Sequence, residues 1–185
     1  MRVEETALAG CLLIHDTFFG DQRGYFFESF NRKTFFDQTG LDLNFVQDNQ
    51  SRSQRGVLRG LHFQHGEYAQ AKLVRVLKGK VLDVAVDLRK TSPNFGKHIA
   101  VELSEESHTQ FFVPRGFAHG FVVLSEEAVF FYKCDNYYNK ATEGGIMYND
   151  PKLGIDWQIA PAEILLSEKD SLLPTLAEIT DNLKF

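Results

Sequence analysis

The stretch GVLRGLHFQHGEYAQAKLVRVLKG, residues 56–79, sets cations and imidazoles inside what otherwise reads as buried β-strand. Val57, Leu58, Leu61 and Phe63 recur around Arg59 and His62, while Leu73, Val74, Val76 and Leu77 recur around Lys72 and Arg75. A strand sends alternate residues to opposite faces, so one of Arg59 and His62 is expected to look into a core or cavity. Arg75 reads as an ordinary solvent-face charge. Directly downstream, VLDVAVDL between Lys80 and Arg89 has a period of two, with Val81, Asp83, Ala85 and Asp87 on one face and Leu82, Val84, Val86 and Leu88 on the other.

Working outward, turn chemistry at 91–96 leads into strand-like runs at 98–103, 110–113, 117–124 and 128–134. Upstream, a short apolar pattern over 9–19 and a turn at 20–24 precede an aromatic strand over 25–30 around Glu28. Asn31 is placed to cap a helix over 32–38 that Gly40 ends, and 43–50 reads as a strand running out into the polar residues 48–53. From Pro161 onward the pattern turns helical, with Leu172, Leu173, Leu176 and Ile179 on one face, and Asp170 reads as a cap. Recurring short strands predict a mainly β, antiparallel jelly-roll sandwich or barrel with short helices near the termini. One domain over 1–185 is expected: N-terminal strands over 1–50, a core over 51–160 and a helical segment over 161–185.

The net charge of −5 is scattered in both signs, which excludes the basic stripe that nucleic acid requires. The 17 Phe, 6 Tyr and 1 Trp suit β-structure with stacking surfaces. Cys11 and Cys134 are too few for a disulfide framework, so a reduced, cytoplasmic protein is expected. Leu8-Ala9-Gly10-Cys11 imitates a lipoprotein cleavage box, but Glu4 and Glu5 stand where a signal needs a basic start and an apolar run. Asn49-Gln50-Ser51 matches a glycosylation acceptor, which matters only in a secreted chain. The apolar runs are too short to span a bilayer.

Taken alone, the polar residues admit bland readings beside functional ones. His62 reads equally well as a hydrogen-bonded core histidine, Lys72 as a surface charge, and Tyr132 as packing in an aromatic strand. His119 is more suggestive, because it follows the turn of Pro114-Arg115-Gly116-Phe117-Ala118-His119-Gly120 and is expected on a loop at a barrel mouth. That turn resembles the glycine-containing turn of the cupin superfamily, and Gly79 matches the end of its first motif. Metal-binding cupins carry HxH there, whereas His62 and His65 are three apart and fall on opposite strand faces. Only His62 and His119 assemble as ligands, short of the usual three or four, so no metal and no cofactor is expected.

The runs RGLHFQ, QAKLVRVLKGKVLDVAVDLRKTSPNFG, PRGFAHGFVVLSEEA, YKCDNYY, NDPKLGIDW and LSEKD, in that order, resemble the dTDP-4-dehydrorhamnose 3,5-epimerase family, cupin-fold enzymes. The resemblance spans nearly the whole chain. It implies epimerisation of dTDP-4-dehydro-6-deoxy-D-glucose at C3 and C5, whose protons the 4-keto group acidifies. It further implies His62 as base with Asp170 as its carboxylate partner, Lys72 as the cation facing the enolate, and Tyr132 as the acid on the opposite side. His119 would position the sugar or enolate, and Arg59 and Arg23 would contact the diphosphate. Gln47 and Asn49 match nucleotide-contact positions, and Glu28 and Tyr138 match positions near the thymine. The family forms homodimers with exchanged N-terminal strands, so Arg23 and Glu28 are expected to reach a neighbouring site. An epimerase acting at C3 alone, a metal-dependent cupin oxygenase and a non-catalytic nucleotide-sugar binding module remain open alternatives on sequence.

Overall fold

A run such as VLDVAVDL, with apolar residues on both faces, is stable only where both faces are covered, and the computed structural model, which describes residues 1–185, shows that arrangement. The strands are β1 (Arg2–Glu5), β2 (Leu12–His15), β3 (Phe19–Asp21), β4 (Gly24–Phe26), β5 (Gln47–Gln54), β6 (Leu58–Gln64), β7 (Lys72–Lys78), β8 (Lys80–Asp87), β9 (His98–Ser104), β10 (Gln110–Val113), β11 (Phe117–Val123), β12 (Glu127–Cys134) and β13 (Glu143–Gly145). The α-helices are α1 (Arg32–Thr39), α2 (Glu168–Ser171) and α3 (Leu176–Ile179).

Two antiparallel sheets face one another in a jelly-roll arrangement, ordered β1-β2-β10-β7-β12-β5 and β13-β6-β11-β8-β9, with β3 and β4 forming a separate hairpin. Between them lies an apolar layer that includes Val74, Val76, Val81, Ala85, Phe111, Phe121 and Phe130. A second layer covers the outer face of the five-stranded sheet, where Leu82, Val84 and Val86 meet Ile146, Leu153, Trp157, Leu176 and Leu183 from the chain beyond Gly145. A third packs Phe35 of α1 and Phe112 of β10 on the outer face of the six-stranded sheet. Strand β8 is therefore buried on both sides, which is why apolar residues stand on both of its faces. No helix is long and apolar enough to cross a membrane.

Helix α1 forms where its caps place it: Asn31 accepts from the Thr34 amide, and Gly40 closes the helix in the left-handed conformation at φ 72°. Other segments depart from expectation. The strand expected over 43–50 runs instead from Gln47 to Gln54, through the polar residues, because β5 is the outer strand of its sheet. One of its faces meets solvent and the other a polar cavity, so neither calls for apolar side chains. The aromatic strand expected over 25–30 is only Gly24–Phe26.

The C-terminal segment is a series of single turns rather than one amphipathic helix. Pro174 lacks the amide that a continuing helix needs, and each piece carries its own cap. Ser167 Oγ accepts from the Asp170 amide, and Thr175 with Glu178 forms a capping box. Asp170 thus lies within α2 instead of capping a helix, and Leu172 is 76% exposed. Arg75 is also corrected: it is buried, on the outer face of β7, with its guanidinium over the Phe27 ring.

Candidate active site

One irregularity in β6 builds the site. His62 pairs with His119 and Arg59 with Phe121, so three steps along β6 oppose two along β11. The extra residue is a β-bulge, and it reverses the alternation of side chains halfway along the strand. Leu58 and Leu61 consequently both enter the outer apolar layer, while Arg59 and His62 both line the cavity between the sheets. The expectation that only one of them points inward fails for this reason. The strands cross so closely here that a Cβ on Gly60, which has φ +137°, would lie 2.6 Å from the Gly120 Cα, leaving glycine as the residue that fits.

The cavity, about 400 Å³, collects Arg59, His62 and His119 from the five-stranded sheet, Asn49, Lys72 and Tyr132 from the six-stranded sheet, and Ser167, Lys169 and Asp170 from the turn over its mouth. Asp170 Oδ1 lies 2.6 Å from His62 Nε2, with the carboxylate side chain 5% exposed and the imidazole 29% exposed. Burial pushes the Asp170 carboxyl up, but hydrogen bonding and charge from His62, with help from Ser167 and Lys169, outweigh it and hold the group below its ordinary value. An ionised Asp170 accepts from Nε2–H, so in the neutral tautomer the lone pair lies on Nδ1.

His119 sits within β11 and is buried, in contrast to the loop position expected for it. Its Nε2 lies 2.8 and 3.0 Å from the two oxygens of Asp83, a carboxylate with no exposed surface. Burial raises the Asp83 carboxyl, against the pull of His119 and Lys72. Burial likewise pulls the Lys72 ammonium down, opposed by Cys134, Asp83 and Glu143. The Lys72 Nζ stands 5.8 Å from the centre of the Tyr132 ring. Burial pushes the Tyr132 phenol up to about 12, so it keeps its proton at neutral pH.

Around the mouth, Gln47 donates to Asn49 Oδ1 at 3.1 Å and accepts from the Tyr138 amide at 3.1 Å. The Tyr138 hydroxyl reaches Glu143 at 3.1 Å, and Glu143 in turn pairs with Lys169 at 2.5 Å. Gln47 and Tyr138 therefore stand on the rim, outside the cavity lining. Arg23 and Glu28 are not brought to this cavity; both are exposed on the arm around β3 and β4, where Arg23 pairs with Asp21 at 2.5 Å. Sequence reading missed Asp83, Glu143, Ser167 and Lys169. Asp83 carried a signal, as a carboxylate on a doubly apolar strand. Ser53, which accepts from Arg59 Nε at 3.1 Å, carried none. No group of three or more His, Cys, Asp and Glu side chains is placed to hold a metal ion. A larger cavity of about 740 Å³ lies elsewhere, lined by residues such as Leu12, Leu41 and Phe112. Its Arg115 and Asp135 neutralise each other at 2.8 Å, and it holds no histidine.

Residues 5–178 match the family model described as dTDP-4-dehydrorhamnose 3,5-epimerase. The chain belongs to the dTDP-4-dehydrorhamnose 3,5-epimerase family. Within that family, the enzyme of Salmonella typhimurium is 52% identical over 176 residues, covering 95% of this chain and 96% of the relative. The crystal structure of the epimerase from Elizabethkingia anophelis superposes with a TM-score of 0.93 at 57% identity, covering 96% of this chain and 97% of the other. That of the Legionella pneumophila epimerase, in complex with dTDP-4-keto-L-rhamnose, gives 0.95 at 47% identity, covering 99% and 97%. Like these epimerases, the chain is an isomerase on a cupin-type fold.

Proposed function

We propose that the cavity inverts C3 and C5 of dTDP-4-dehydro-6-deoxy-D-glucose, giving dTDP-4-dehydro-L-rhamnose, with His62 as the base. The observation that carries this reading is the hydrogen-bonded His62–Asp170 pair on one wall, facing Lys72 and Tyr132 on the other. Nδ1 of His62 takes the carbon-bound proton, and the Asp170 carboxylate stabilises the resulting imidazolium. Charge then collects on the former 4-keto oxygen. Lys72 supplies a fixed cation for it in a site shielded from water, and the buried Asp83–His119 pair holds a further polar group against the same space. Tyr132, protonated and on the opposite wall, returns a proton to the other face of the carbon. His62 then releases its proton to solvent and Tyr132 regains one from it, and the same steps at the second carbon complete the double inversion.

Arg59, oriented by Ser53, offers its guanidinium to the diphosphate. Asn49, Gln47 and Tyr138 guide the nucleoside across the rim. The reading includes a homodimer in which the arm carrying Arg23 and Glu28 completes a neighbouring site. Phe19, Tyr25 and Phe26 on that arm are 64%, 63% and 71% exposed, an apolar surface that suits a second copy. Cytoplasmic residence is also part of the proposal, supported by Cys11 and Cys134, both unpaired and buried.

Solvent-deuterium incorporation into the nucleotide sugar, followed by mass spectrometry and proton NMR with chelator present, tests the reading. Label at both C3 and C5 is expected. Label at C3 alone overturns the double inversion, and no label despite binding overturns catalysis.

A further inference from the structure

The chain between Asp16 and Ser29 leaves the six-stranded sheet to form the hairpin that carries Arg23, and Glu28 lies on its return. Both ends of this arm are held by one side chain. Gln110 of β10, 3% exposed, donates through Nε2 to Asp16 Oδ2 at 2.8 Å and to the Ser29 carbonyl at 2.9 Å. On the neighbouring β7, the buried Arg75 places its guanidinium carbon 4.6 Å from the centre of the Phe27 ring, and its Nε has no hydrogen-bond partner. Phe27 lies 4.3 Å from Phe18, which stacks on His108 at 4.0 Å.

Burying an amide and a guanidinium on an apolar sheet face costs free energy unless directional contacts offset it. Here both side-chain hydrogen bonds of Gln110 go to the arm, and the aromatic contact of Arg75 goes to the arm as well. Bulk alone does not call for this chemistry, since Leu73 and Phe112 fill the same face without polar atoms. We infer that Gln110 and Arg75 are positioning residues that fix the path of the arm, and through it where Arg23 and Glu28 meet substrate. This rests on the reading of the arm as part of a neighbouring site.

The test uses the full chain with Arg75→Met and Gln110→Leu, and reads two quantities. One is the rate of trypsin cleavage after Arg23, followed by mass spectrometry; the other is KM against kcat. Cleavage should quicken and KM rise by roughly tenfold each, the change that about 1.4 kcal/mol gives, while kcat stays near wild type. Arg75→Lys, which keeps charge and bulk but loses the planar stack, should fall between wild type and Arg75→Met, and serves in its place if that variant does not fold. Circular dichroism melting checks folding in each case. Unchanged cleavage and KM in both anchor variants, with Arg23→Ala raising KM, overturns the anchor. Faster cleavage with KM unchanged in the anchor variants and in Arg23→Ala overturns the substrate role given to the arm.

Discussion

Replacing Asp170 with Asn removes one charge and leaves the shape of α2 and an acceptor oxygen for His62. The contact it alters is short, 2.6 Å, and shielded, since the carboxylate is almost wholly covered and the imidazole mostly so. The relevant range is therefore that of a hydrogen bond to a charged group, about 1.5–3 kcal/mol, and not the 0–1 kcal/mol of a surface ion pair. If that stabilisation is realised when the imidazole takes up its proton, kcat for proton removal falls roughly 10- to 150-fold, at about 1.4 kcal/mol per factor of ten. On the proposed mechanism KM should barely move, since Asp170 would act on the base and not on the sugar. The assay is the initial rate of deuterium washing into C3 and C5, with thermal melting to confirm that the Asp170→Asn variant keeps the same turn. A loss smaller than about fivefold, the ceiling for a surface pair, refutes the assignment of Asp170 as the partner that stabilises the imidazolium.

Tyr132→Phe should leave solvent exchange measurable while reducing net inversion by about 10²–10⁴, the range for a general acid; NMR of the recovered sugar separates the two. Lys72→Met should lower kcat/KM by roughly 10²–10³ through loss of the charge proposed to face the enolate, with dTDP binding by calorimetry retained. Asp87 gives a pH prediction. Burial raises its carboxyl, but hydrogen bonds from Arg89 and Ser92 outweigh this and hold it below the ordinary value. A depressed folded pKa stabilises above the unfolded value and loses that contribution as pH falls through the folded one. The melting temperature should therefore drop as pH falls below about 4, and Asp87→Asn should flatten that acid limb while lowering the neutral-pH value.

Much of the core is legible in the sequence because its strands obey a period of two under covered faces. The runs ending at Val113 and Cys134 coincide with observed strand ends, since Pro114 and a change to polar residues mark them. What eludes sequence reading has three physical causes. Strand β5 is polar because it is an edge strand beside a cavity, and polarity ordinarily reads as the end of a strand. Arg75 reads as a surface charge because nothing in its own run reveals that Phe27 covers it from a distant part of the chain. The C-terminal apolar spacing suggests one helix, but Pro174 divides it, and this division lets Asp170 lie over His62 while Leu176 enters the outer layer.

The bulge in β6 joins two half-strands of opposite parity. Upstream of Gly60 the odd-numbered Arg59 faces the cavity; downstream it is the even-numbered His62 that does so. In an evenly pleated strand a spacing of three would send these two side chains to opposite sides of the sheet. Ironing the bulge flat at constant chain length would therefore turn either the Arg59 guanidinium or the His62 imidazole into the outer apolar layer, with every named residue still present. Losing one residue between them would be gentler, because the spacing becomes two and both groups keep a common face without any bulge. The tight crossing of Gly60 over Gly120 leaves no room for a Cβ at either position, so the bulged arrangement needs glycine at both. Two residues with no side chains thus act as the punctuation of the site: they contribute no group to the chemistry, and they determine whether the groups that do can be read together.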